Sequence, residues 1–311
     1  MQDIKKEKNV PDRDLTFRSG FVTIAGRANV GKSTLINNII GQKVLATSSK
    51  PQTTRKRTNC IYNDNNSQII FVDIPGFLKP KTLLTEKLNN LIQKTLSDVD
   101  LVIMMTDVSA GVGTGDFFVY EKIKNSGKPV IFVLNKIDEA GKEKIKQEKE
   151  KLLELSPEKD IVEISALRKI NIPVLIEKIK TFLPECAPYF PDDILTDVPV
   201  REIAAEIIRE KLISLLSEEL PHTIAVEIDK FEEASGKKNI IRISAIVYVS
   251  RKSHKSMIIG KSGHVLKEAG TQSRIEMEEL LGNRVFLEMW VKVRENWTMN
   301  EKDLKEFGFV N

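Results

Sequence analysis

From residue 21 to about residue 183 short apolar runs alternate with amphipathic stretches, and that alternation predicts the architecture of the first half of the chain. The runs at 21–25, 68–72, 101–106, 130–134 and 161–164 are rich in Val, Ile and Leu, as strands buried on both faces of a sheet are. A further strand is predicted at 58–62. Residues 32–40, 85–97, 116–125, 143–155 and 172–182 carry apolar positions at helical spacing; in the first of them Leu35, Ile36, Ile39 and Ile40 share one face. Strands alternating with helices predict an α/β, doubly wound fold on a mostly parallel six-stranded sheet. Residues 41–57 have no period and are expected to form an exposed, mobile loop.

The pattern breaks at Pro184, Pro188, Pro191 and Pro199, a density that stops helices and strand ladders and predicts a semi-rigid linker over 184–200. Beyond it, 201–216 reads as a helix, while 223–231 and 240–249 alternate as half-buried strands do. A short helix at 254–259, a glycine turn, a long helix at 265–281 and a strand at 285–293 follow. The order α-β-β-α-α-β predicts a separate α+β domain over 201–311, after a first domain at 18–183. Residues 1–17 are polar and charged and are expected to be a disordered leader.

Composition narrows the function classes. An apolar fraction of 41% with 30% charged residues suits a globular protein with real cores. The net charge of +4 gives no global basic field, so any nucleic-acid surface has to be local. Cys60 and Cys186 stand far apart, in no metal-like spacing, and are expected to be free thiols. The N-terminus lacks the apolar core of a signal peptide, and no run approaches the ~20 apolar residues of a membrane span. A cytoplasmic protein is expected, with peripheral membrane contact left open.

Chemistry concentrates at Gly26-Arg27-Ala28-Asn29-Val30-Gly31-Lys32-Ser33, which fits G-x-x-x-x-G-K-[ST] between a strand and a helix. In that setting the backbone N–H groups through Thr34 converge on phosphates, Lys32 reaches the β- and γ-phosphates, and the Ser33 hydroxyl ligates Mg²⁺. Arg27 is expected to face solvent. Three more stretches follow strand ends, as a nucleotide site requires. Asp73-Ile74-Pro75-Gly76 offers a carboxylate for Mg²⁺ and the Gly76 N–H for the γ-phosphate. Asn135-Lys136-Ile137-Asp138 offers, in Asp138, an acceptor for guanine N1–H and N2–H₂, which adenine lacks. Ser165-Ala166-Leu167 can close over the base. The ligand expected is therefore GTP, with GDP as product.

In the second domain Ile258-Ile259-Gly260-Lys261-Ser262-Gly263 matches the G-X-X-G loop of KH RNA-binding modules, with Ile258 and Ile259 expected to pack on bases. The α-β-β-α-α-β order is that of type II KH domains. Residues 234–267 hold eight basic residues, Lys237, Lys238, Arg242, Arg251, Lys252, Lys255, Lys261 and Lys267, and no acidic one. A patch of one sign is the footprint expected for a phosphate backbone, here drawn around the loop.

The guanine-nucleotide set resembles the translation-factor-related GTPases. Joined by a short linker to a type II KH domain, the chain resembles the Era family of bacterial GTPases over about residues 20–311. The resemblance is carried by the phosphate loop, Pro51-Gln52-Thr53-Thr54-Arg55, and residues 189–193 and 197–202. It continues through 258–263 and the stretch 278–293, Glu-Glu-Leu-Leu-Gly-Asn-Arg-Val-Phe-Leu-Glu-Met-Trp-Val-Lys-Val. It implies GTP hydrolysis with Mg²⁺, Thr54 as the switch threonine on the metal (Thr53 being the alternative), and binding of small-subunit (16S) ribosomal RNA near its 3′ end. It also implies a role in assembly of the small (30S) ribosomal subunit, a monomer, and possible peripheral membrane association. Ala28 and Ile74 depart from the family's usual Pro and Thr. Phe77 stands where Ras-like proteins carry a water-orienting glutamine, so slow intrinsic hydrolysis is expected. In related GTPases an asparagine at the position of Asn29 holds potassium beside the phosphates. By resemblance K⁺ is a candidate second cofactor, ligated by Asn29 and carbonyls at 48–53; the alternative is that Asn29 only bonds within its loop.

Overall fold

The computed structural model describes residues 17–47, 55–77, 82–156, 161–216, 223–234 and 239–309. The first domain alternates β1 (Arg18–Ala25), α1 (Lys32–Ile40), β2 (Thr58–Asn63), β3 (Ser67–Asp73), α2 (Leu83–Asp98), β4 (Leu101–Asp107), α3 (Thr114–Lys124), β5 (Val130–Asn135), α4 (Lys142–Leu155), β6 (Ile161–Glu163) and α5 (Ile172–Lys180). The sheet runs β2-β3-β1-β4-β5-β6, with only β2 antiparallel to its neighbour. The alternation along each strand explains why apolar runs were needed. Val22, Ile24, Ile69, Phe71, Leu101 and Ile103 pack with α1 and α5, whereas Ala25, Val72, Val102 and Met104 pack with α2, α3 and α4. All parallel strands therefore end along one edge, and the loops leaving that edge carry the chemistry.

The second domain holds α6 (Val200–Leu215), β7 (Ile224–Glu232), β8 (Ile240–Val249), α7 (Lys252–Ile259), α8 (His264–Leu281), β9 (Arg284–Val293) and α9 (Glu301–Glu306). Its sheet is β7-β8-β9, antiparallel then parallel, and Ile207, Ile208, Ala269 and Met277 of α6 and α8 fill one face. The six-residue helix α9 was not anticipated. Its apolar positions are few, and it forms because Trp297, Leu304 and Phe307 bury against Leu84 and Leu88 of α2.

Three sequence expectations change. The described parts of 41–57 are exposed only in part: Gly41, Gln42 and Arg57 face solvent, but Asn37 of α1 accepts from the N–H groups of Val44 and Leu45 at 3.0 and 2.9 Å, Val44 and Leu45 enter the core, and Arg55 is buried. Phe17, placed in the leader, is buried, and its carbonyl accepts from Cys186 N–H at 3.1 Å; the rest of the leader lies outside the described residues. The proline-rich stretch is docked rather than spanning. Gln68 Oε1 accepts from the N–H groups of Tyr189 and Phe190 at 2.7 and 3.0 Å, and Thr196 Oγ1 donates to the Asn59 carbonyl at 2.7 Å. The polar groups that proline leaves exposed find partners on β2 and β3 instead of water.

Candidate nucleotide site and RNA interface

β1 delivers the chain into the phosphate loop, and packing dictates its glycines. A Cβ on Gly26 would lie 2.4 Å from the Met105 carbonyl oxygen; one on Gly31, whose φ is 101°, would lie 2.4 Å from Asn135 Nδ2. Gly31 precedes α1 without a side-chain cap, so the first N–H groups of the helix, those of Ser33 and Thr34 among them, stay available to an anion. Lys32 folds back over the loop and donates from Nζ to the carbonyls of Arg27 at 2.9 Å and Gly26 at 3.4 Å. Burial lowers its pKa to about 8, against the opposing pull of Asp73. A Cβ on Gly76 would sit 3.6 Å from Lys32 Nζ, which puts the Asp73–Gly76 turn beside the loop. Asp73, at the end of β3, is buried. Ser33 and Asp73 supply hard oxygen donors of the kind Mg²⁺ takes. Thr54 lies outside the described residues, as do residues 48–53.

Asn135 staples two of these stretches together. Its Nδ2 donates to the Val30 carbonyl at 2.7 Å, and its Oδ1 accepts from Ala166 N–H at 2.8 Å. Lys136, at φ 65°, pairs with Asp107 Oδ2 at 2.5 Å. Burial alone would raise the Asp107 pKa, but hydrogen bonds from Lys136 and Ser109 outweigh it and hold the carboxyl below its usual range. Asp138 stands in a 3₁₀ turn, Ile137–Glu139, with 17% of its side chain exposed and Arg168 Nε 3.8 Å away. Ser165 is buried and its Oγ accepts from Arg168 N–H at 2.9 Å, while Leu167 is exposed at the mouth. The phosphate loop, Asp73 and Asp138 thus all lie at the same end of the parallel strands.

Arg27 is a correction. It does not face solvent but donates to Asp116 Oδ1 at 2.9 Å and to the Gly111 carbonyl at 2.7 Å. Asp116 is buried and also accepts from Gly113 N–H at 3.0 Å, so one carboxylate both caps α3 and pins the phosphate loop. The sequence offered no signal, because the two residues are 89 positions apart. Asn29 has φ 65° and is exposed.

In the second domain Gly260 ends α7 at φ 73°, ψ 176°, and a Cβ there would lie 2.6 Å from Val265 Cγ2. Gly263, at φ 78°, faces open space ahead of α8. Lys252, Lys255, Lys261, Ser262 and Lys267 are exposed. Ile258 is the second correction: it is fully buried in the domain core and cannot meet a base, while Ile259 is half-buried. The loop opens instead onto a groove of about 400 Å³ between α8 and β9, lined by Lys267, Gly270, Thr271, Arg274, Leu287 and Met289. Gly270, a lone glycine inside a helix, was the available signal for it. A Cβ there would crowd Met289 Cε at 3.1 Å. The basic patch also divides. Lys237 and Lys238 lie outside the described residues, and Arg242 sits on β8, away from the loop.

Comparison with known proteins agrees with both halves. Residues 21–136 match a domain family described as 50S ribosome-binding GTPase, and residues 219–298 match the KH domain family. Proteins described as GTPase Era from Alkaliphilus metalliredigens and Clostridioides difficile are 44% and 42% identical, over 95% and 94% of this chain and 100% and 99% of theirs. The structure of a single-residue variant of Aquifex aeolicus Era bound to GDP·AlF₄⁻ superposes with a TM-score of 0.90 at 39% identity. An Era complex with MgGDPNP and nucleotides 1506–1542 of 16S ribosomal RNA gives 0.90 at 40%. Each of these two matches covers 95% of this chain and 100% of the other.

Proposed function

This chain belongs to the Era family of GTPases, and from that premise we propose that its nucleotide cycle controls a hold on the 3′ region of small-subunit (16S) ribosomal RNA during assembly of the small ribosomal subunit. The observation that carries the reading is the Gly260–Gly263 loop opening onto a groove rimmed by Lys267 and Arg274, in one chain with the phosphate loop. The glycine loop admits a sugar–phosphate backbone, and the groove takes splayed bases. The relative whose structure contains a 16S ribosomal RNA fragment supports the same assignment. The family description that names the large subunit covers only residues 21–136, which include none of this groove.

In the nucleotide site, the N–H groups of the phosphate loop and Lys32 bind the phosphates. Asp138 reads guanine. Asn135 holds the base-side and phosphate-side loops in register. Ser33, Asp73 and, on the family pattern, Thr54 would hold Mg²⁺, which when bound neutralises charge developing across the β- and γ-phosphate oxygens. The Gly76 N–H would meet the γ-phosphate. Phe77 can orient no water; its ring packs edge-on against Phe118 at 6.1 Å. Hydrolysis by this chain alone is therefore expected to be slow, and Asn29 is assigned as a ligand for K⁺.

The test is the affinity of a 16S 3′-end oligonucleotide for the GTP-analogue-bound, GDP-bound and empty protein. Affinity that differs among the three and falls with salt is expected. Equal affinity in all three, or equal affinity for an unrelated RNA of the same length, would reject the reading.

A further inference from the structure

Side chains along β9 alternate between two faces of its sheet. Leu287 and Met289 line the groove beside α8. Phe286, Glu288 and Trp290 point to the opposite face, where Phe286 is 47% and Trp290 61% exposed. Two large aromatic rings left this open on one face of a strand make an exposed apolar patch of the kind that binds a partner. The chain has two tryptophans, and the other, Trp297, is fully buried. Arg242 on β8 lies opposite Phe286 in register, its guanidinium 5.4 Å from the ring centroid. It belongs to the basic patch read from the sequence, yet the pleat carries it away from the glycine loop. Lys292 is exposed at the other end of the same face. Arg242 and Lys292 form no ion pair among the described residues.

We propose that this face is a second RNA-binding surface, on which a single strand leaving the groove stacks bases on Phe286 and Trp290. The inference rests on the RNA-binding reading above. β9 is the edge strand of its sheet, so a chain lying in the groove has only one strand to cross before it reaches the outer face. Phe286 and Trp290 are four residues apart on an extended strand, about 13 Å, and form two separate platforms. Arg242 and Lys292 flank them as phosphate contacts, and Arg242 adds a cation–π contact. Glu288 between the rings disfavours a duplex laid backbone-first across this face. A single strand with its bases turned inward keeps its phosphates at the flanks instead.

The experiment uses the full chain with GTP analogue bound. Single-stranded oligoribonucleotides of about four nucleotides, the length a G-X-X-G loop clamps, are compared with oligonucleotides of about ten. Tryptophan emission, read as the difference from Trp290→Phe, should be quenched by the long RNA and not by the short one. Trp290→Ala should weaken the long RNA about tenfold and leave the short one unchanged, and Trp290→Phe should retain most of the affinity. Arg242→Glu, at an exposed position, should weaken the long RNA without touching GTP affinity. Long-RNA affinity indifferent to both Trp290→Ala and Arg242→Glu would overturn the proposal and leave the face to a protein partner. Failure of both RNA lengths to bind would overturn the RNA reading itself.

Discussion

Arg55 Nη1 donates to the Ile224 carbonyl, 2.7 Å away, across the boundary between the two domains. The Arg55 side chain is 1% exposed, and Thr54 immediately precedes it. At the other end of the same segment, Thr47 N–H donates to Glu210 Oε2 of α6 at 2.7 Å. The described ends of the segment in which the family resemblance puts the switch threonine are therefore both fastened to the second domain, and we propose that a Thr54 drawn toward Mg²⁺ would pull on Arg55. Arg55→Ala is expected to shrink the difference in RNA affinity between GTP- and GDP-bound protein toward none, where intact coupling gives about 5–150-fold. Lost docking should also cost about 1–3 kcal/mol of stability. An unchanged affinity ratio in a folded variant would remove Arg55 from the coupling.

Lys43 clamps the same boundary, with Nζ 3.0 Å from Glu210 Oε1 and 2.7 Å from Glu276 Oε1. Burial alone would raise the Glu276 pKa, but hydrogen bonds from Lys211 and Lys43 outweigh it and hold the carboxyl below 4.5. With the folded value depressed, the clamp's contribution is fully present above pH 4.5 and is lost as pH falls through the folded value. Glu276→Gln should cost about 1 kcal/mol at neutral pH and flatten that acid limb in calorimetric scans. An acid limb identical to wild type would assign the loss to other carboxylates.

Asp138→Asn should weaken GTP binding and favour xanthosine triphosphate, whose C2 carbonyl accepts where guanine donates. Each lost charged hydrogen bond is worth about 1.5–3 kcal/mol, so discrimination of tenfold or more should be lost in competition binding. Retained guanine preference would show that Asp138 does not read the base.

The two loop glycines should fail differently. A Cβ on Gly260 meets Val265 Cγ2 and its backbone N at 2.6 and 3.0 Å, so Gly260→Ala should destabilise the second domain by about 1–3 kcal/mol. Gly263 has open space and a left-handed φ of 78° that asparagine tolerates. Gly263→Asn should fold and still bind RNA, and Gly263→Asp should fold and lose RNA binding while keeping GTP. Equal melting temperatures for Gly260→Ala and Gly263→Asn would contradict this.

Both domains were legible in the sequence because their signals are local. The phosphate loop sits between a strand and a helix, and the parallel strands are apolar throughout. What escaped is what long-range packing decides. Arg27 reads as solvent-facing until α3 brings Asp116 to it, and Ile258 reads as a base contact until helical rotation turns it inward. Proline density predicts a semi-rigid linker, but it does not say that Gln68 and Asn59 give that segment partners. Arg55 carried a motif label, yet nothing near it in sequence indicates that its target is Ile224.

We propose potassium as an account of turnover in a chain with Phe77 where Ras-like proteins carry a water-orienting glutamine. The phosphoryl transition state spreads negative charge over the γ-phosphate and the bridging oxygen, so catalysis needs positive charge aimed there. Arg27 cannot supply it, because both its Nε and its Nη2 are committed to Asp116 and Gly111. Lys32, whose Nζ bonds the carbonyls of Arg27 and Gly26, is the group proposed to bind the β- and γ-phosphates. Asn29, exposed at φ 65° on the rim of the loop, carries a side-chain carbonyl suited to a hard monovalent cation. GTP hydrolysis is therefore expected to run about tenfold faster in potassium than in equimolar sodium at fixed ionic strength, about 1.4 kcal/mol off the barrier. Asn29→Ala should abolish the difference and leave the sodium rate nearly unchanged. A bond confined to the loop predicts the opposite pattern, with Asn29→Ala slowing hydrolysis equally in both salts. Equal wild-type rates in potassium and sodium would sink the assignment, and the slow turnover would then wait on a group supplied by the RNA or the ribosomal subunit.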